Sequence, residues 1–66
     1  MTPIKTKAGM VVFIRPDPYN HGNWDVVYKN ALMPGWSEQE IHWMPNKRTA
    51  LWLMKALVKA WGGREE

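Results

Sequence analysis

The sequence predicts a small α+β fold, a three-stranded antiparallel sheet packed on one C-terminal α-helix in the order β-β-β-α. Three observations predict it. Short segments rich in β-branched and aromatic residues, 9–15, 24–30 and 40–44, are separated by clusters of turn formers. The last third of the chain changes to a helical period, opened by an asparagine and closed by two glycines. Sixty-six residues without a cysteine make a single small domain with a limited core and no disulfide to staple it.

Residues 1–8 offer little to bury and read as a flexible N-terminal arm. "GMVVFIR", residues 9–15, is the first strand, stopped by Pro16. Met10, Val12 and Ile14 share one of its faces, and Val11, Phe13 and Arg15 share the other. Both faces are apolar over most of the strand, so the sequence leaves open which of them is buried. "PDPYNHGN", residues 16–23, is a wide loop, too long for a two-residue hairpin. "WDVVYKN", residues 24–30, alternates: Trp24, Val26 and Tyr28 on one side, Asp25, Val27 and Lys29 on the other. A second long loop, "ALMPGWSEQE", contains a Ser37–Glu40 spacing that matches a capping box. "EIHWM", residues 40–44, is the third strand, with Ile41 and Trp43 expected toward the core and His42 and Met44 away from it.

The helix spans residues 46–61. Asn46 suits its N-cap, and Gly62 and Gly63 suit its left-handed stop. At 100° per residue, Ala50, Leu53, Leu57, Ala60 and Trp61 form the face that should meet the sheet, with Met54 at its edge and Leu51 and Val58 at the rim. Arg48, Trp52, Lys55 and Lys59 fall together on the opposite side, at spacings of four, three and four. A tryptophan on a basic, solvent-facing stripe is the strongest anomaly in the chain. A second is the uncovered sheet face, which should show Val11, Phe13, Arg15, Val27, Lys29, His42 and Met44.

Composition narrows the function classes. The net charge of +3 and a pI near 9.5 favour acidic partners. The absence of cysteine fits a reducing, cytoplasmic setting, and no apolar run approaches the length of a membrane span, so no membrane partner is expected. Catalytic patterns are missing. Ser37 lacks a nucleophile elbow, His21 and His42 are far apart and outside any zinc-binding spacing, and the five glycines build no phosphate loop. No enzyme, cofactor or metal site is expected.

Two binding functions remain. Arginine and lysine neutralise phosphates, and aromatic rings stack on bases, so nucleic acid is the first. Its candidate contacts are Arg15, Lys29 and His42 on the sheet, and Arg48, Trp52, Lys55 and Lys59 on the helix. The order of "GNWDVVYK", "EIHWM" and "NKRTALWLMKAL" resembles the three-stranded DNA-binding domains of the AP2 and integrase arm-binding type, and also the small bacterial cell-division activators of the CedA type. That resemblance implies DNA contact through the sheet, by Arg15, Lys29 and His42. The chain departs from the AP2 pattern in its long joint before the third strand and in having Arg15 as its only strand arginine. The second function is that of a phage-type accessory protein or inhibitor that binds a host protein through Met33, Trp36 and Trp52, since tryptophan, methionine and arginine are enriched at interfaces. A homodimer built on the same exposed aromatic stripe is compatible with either.

Overall fold

The computed structural model describes residues 3–33, 35 and 38–65. It contains β1 (Ile4–Lys5), β2 (Met10–Pro16), β3 (Trp24–Asn30), β4 (Gln39–Met44) and α1 (Lys47–Ala60). The strands form one antiparallel sheet in the order β1-β2-β3-β4, and α1 crosses one face of it. The fold is therefore α+β as expected, with a fourth, very short strand added at the edge.

That strand corrects the expectation of a loose arm for residues 4–8; residues 1 and 2 of that expected arm lie outside the described residues. Ile4 pairs with Val12 and Lys5 with Val11. Thr6 is buried, and its hydroxyl accepts from the Met10 amide at 3.0 Å, closing the β1–β2 turn. Gly9 completes the turn at φ 84°, where a Cβ would also lie 2.5 Å from the Leu32 side chain. The C-terminal residues then run along the free side of β1. The Lys7 amide donates to the Gly63 carbonyl at 3.0 Å, and the Glu65 amide to that of Lys5 at 2.8 Å.

The open question about β2 resolves in favour of Met10, Val12 and Ile14, all buried. Val12, Ile14, Val26, Ala50 and Met54 form the core, with Trp24, Tyr28, Ile41, Met44, Leu57 and Trp61 packed around it. Two helical positions differ from the expected face. Met54, placed at its edge, is fully buried, and Ala60, placed within it, is exposed. Leu51 and Val58, placed at the rim, also pack against the core.

In β4 the expected alternation breaks. Trp24 pairs with Met44, but Val26 pairs with Ile41, so three residues of β4 span two of β3. One extra residue flips the side-chain parity beyond it. Met44 therefore turns inward against the core, and Trp43, expected inside, is 82% exposed.

The caps of α1 are as the sequence requires. Asn46 Oδ1 accepts from the Thr49 amide at 2.8 Å. At the other end, Gly63 N–H donates to the Val58 carbonyl at 2.9 Å and Gly62 N–H to that of Lys59 at 3.3 Å, the paired bonds of a Schellman stop.

Candidate functional site

On the sheet face away from α1, Asp25 interrupts the apolar run of β3 and is wholly buried. A carboxylate without water requires charged partners, and the register supplies them. Arg15 lies opposite Asp25 on β2, and its Nε donates to Asp25 Oδ2 at 3.2 Å. Its Nη2 donates to Glu40 Oε1 at 2.6 Å, so the guanidinium links β2 to β4 across β3. His42 Nδ1 faces Asp25 Oδ1 at 2.9 Å and Asp17 Oδ2 at 3.4 Å, while Nε2 faces Glu40 Oε2 at 3.1 Å. Both ring nitrogens meet carboxylates, which favours the imidazolium; its pKa is raised, chiefly by the Asp25 bond acting against burial. Asp17 begins the β2–β3 loop, where its Oδ1 accepts the Tyr19 and Asn20 amides at 2.8 and 3.1 Å. Those amide bonds, the Tyr19 one foremost, outweigh burial and hold its pKa down at about 2.

Asp17, Asp25 and His42 also bring ligand-type atoms within 4.8 Å of one another, a grouping that their sequence separation conceals. Each of these atoms already has a protein partner, and Arg15 adds a positive charge to the same cluster. The arrangement is that of a self-satisfied ion network tying three strands and a loop together. It also decides what Arg15 and His42 can offer a partner: their charges are engaged by Asp25 and Glu40. Of the expected sheet contacts, Lys29 alone stands outside every ion pair among the described residues. Val27, expected to be open to solvent, is wholly buried, paired with Phe13 on β2 and Glu40 on β4.

The helix is different. Arg48, Trp52, Lys55 and Lys59 are all exposed, as their spacing requires, and Trp52 keeps 70% of its surface accessible. No acidic residue occurs anywhere in α1. Among the described residues, no carboxylate pairs with any of its four cations. Lys47 instead places its ammonium 5.6 Å from the centre of the Trp24 ring. From Arg48 to Lys59 the stripe runs roughly 16 Å along the axis.

Met33 is 59% exposed and its neighbour Leu32 is 68% exposed, so the β3–β4 loop presents apolar side chains to solvent. Trp36, the other residue assigned to that surface, and Ser37 of the expected capping box lie outside the described residues. Glu40 belongs to β4 and serves the ion network rather than a helix cap. Comparison with family models, characterised proteins and solved structures finds no match.

Proposed function

We propose that this chain is a small, non-enzymatic, cytoplasmic protein that binds nucleic acid through the outer face of its helix. The observation that carries this reading is the acid-free stripe of Arg48, Trp52, Lys55 and Lys59, all exposed on one line. Unpaired cations on a rigid element can replace the counterions of several phosphates, and Trp52 offers a ring face for stacking on an unpaired base. The resemblance to AP2 and integrase arm-binding domains would place the contact on the sheet. The engagement of Arg15 and His42 by carboxylates favours the helix instead.

The test is titration with mixed-sequence duplex and single-stranded DNA, followed by tryptophan fluorescence at low and moderate salt. Saturable quenching that weakens steeply with salt, and is abolished by Lys55→Glu with Lys59→Glu, is the expected result. No change with either form at low salt would sink the reading.

The exposed Leu32 and Met33 favour a second reading, an accessory protein that docks on a protein target. Binding of that kind should survive added salt.

A further inference from the structure

Beside the basic stripe, on the flank of α1 nearest β1, lies a groove of about 370 Å³. Its floor is Ile4, Leu51, Met54 and Val58, and its rim is Lys55, Lys59 and Arg64. The fold leaves this surface open for a local reason. β1 has only two residues, so it brings Ile4 alone to that flank of the helix. The chain then turns away at Gly62 and Gly63, and its tail pairs with residues 5–7 instead of folding back over Leu51 and Val58.

We propose that this groove docks an amphipathic, acidic segment of a partner protein, with apolar side chains on the floor and carboxylates against Lys55, Lys59 and Arg64. The charge pattern selects this occupant. Three cations edge the floor, and among the described residues no acidic one lines it. A second copy of this chain is a poor fit. Of its described acids, Asp17, Asp25 and Glu40 belong to the ion network and Glu65 pairs with Lys5, which leaves Glu38 alone to face three cations. Nucleobases fit poorly as well, because a floor of aliphatic side chains and a thioether leaves their donors and acceptors without partners. An apolar helix face flanked by glutamates or aspartates satisfies both floor and rim.

This inference does not rest on the nucleic-acid reading, although the two share Lys55 and Lys59. Bound together at those lysines, the ligands would compete.

The test is methyl NMR on the full chain, titrated with a synthetic helical peptide that carries leucines on one face flanked by glutamates. Saturable shifts at Ile4, Met54 and Val58 are expected, with the glutamine counterpart binding about tenfold more weakly. Val58→Asp should abolish the shifts. If that variant unfolds, Arg64→Gln serves in its place, lowering peptide affinity about two- to fivefold while sparing oligonucleotide binding to the outer stripe. Four results would overturn the proposal: no shift at the groove methyls, equal binding of both peptides, stronger groove shifts from a single-stranded oligonucleotide, or stronger groove shifts from phosphatidylcholine–phosphatidylglycerol vesicles. Loss of DNA binding with peptide binding intact would remove the first reading and leave this one standing.

Discussion

Asp25 and His42 show how single side chains set the character of a whole face. An aspartate at 0% exposure within a strand is tolerable only because Arg15 and His42 both reach it. The coupling should be visible as a pH dependence of stability. The pKa of His42 is raised above the ordinary 6.5, so its contribution is complete below about that value and is lost as pH rises through the raised one. Asp17 acts in the opposite sense. Held at about 2 against an ordinary 3.8, it stabilises the fold above the ordinary value and ceases to do so as pH falls toward 2. The melting temperature should therefore hold as pH falls until Asp17 begins to protonate, and decline as pH rises from about 6.5 through the raised His42 value. In His42→Gln the curve should lie lower and lose that decline at rising pH. An unchanged slope at rising pH in that variant would mean that His42 is not the titrating group. This network was only half legible in the sequence. Arg15 and His42 were named as sheet-face residues, but nothing in the sequence singled out Asp17 or Asp25 as their partners. The meeting of these aspartates with His42, across 17 and 25 residues of chain, depends on strand pairing that no local pattern encodes.

Elements were legible where a single period governs them. β3 runs over Trp24–Asn30 as its alternation demands, and α1 begins at the Asn46 cap and stops at the paired glycines. The stop can be tested at Gly62, whose φ is 90° and whose added Cβ would lie 3.3 Å from Lys7 Cβ. Gly62→Ala should cost about 1 kcal/mol in chemical denaturation, more if Lys7 cannot yield. β1 was not legible, because two residues carry no period and their pairing is fixed by the Thr6–Gly9 turn and by the returning C-terminus. The bulge in β4 was hidden for a related reason: "EIHWM" has apolar residues at both parities after Ile41, so the pattern could not show where the extra residue falls. Paired substitutions test its placement. Trp43→Ser, at an 82% exposed site, should change stability by less than about 0.5 kcal/mol, whereas Met44→Ser should cost about 2 kcal/mol. Equal costs would mean that the parity of β4 does not flip.

Over the whole molecule, charge is segregated. Asp17, Asp25 and Glu40 sit on the sheet face with Arg15 and His42, while the helix carries four of the nine basic residues and no acid. A net charge of +3 spread evenly would attract anions weakly from every side; concentrated on one helix, it gives a directed field. The same segregation assigns different work to residues that look alike in sequence. Arg15 pairs with Asp25 and Glu40, so Arg15→Gln removes a charged partner of a wholly buried carboxylate and should cost about 1–3 kcal/mol of stability. DNA affinity, measured where the variant is still folded, should remain within about twofold of the parent's, because the guanidinium's charge was already engaged by Asp25 and Glu40. Lys55→Gln with Lys59→Gln should do the reverse. Both ammoniums are exposed and outside every ion pair among the described residues, so stability should move by less than about 0.5 kcal/mol. The slope of log affinity against log salt should fall by about 2, one unit for each lost phosphate contact. Thermal melts and salt-dependent binding on these variants separate the two faces. A slope that falls with Arg15→Gln and not with the lysine pair would move the anion-binding surface from the helix to the sheet.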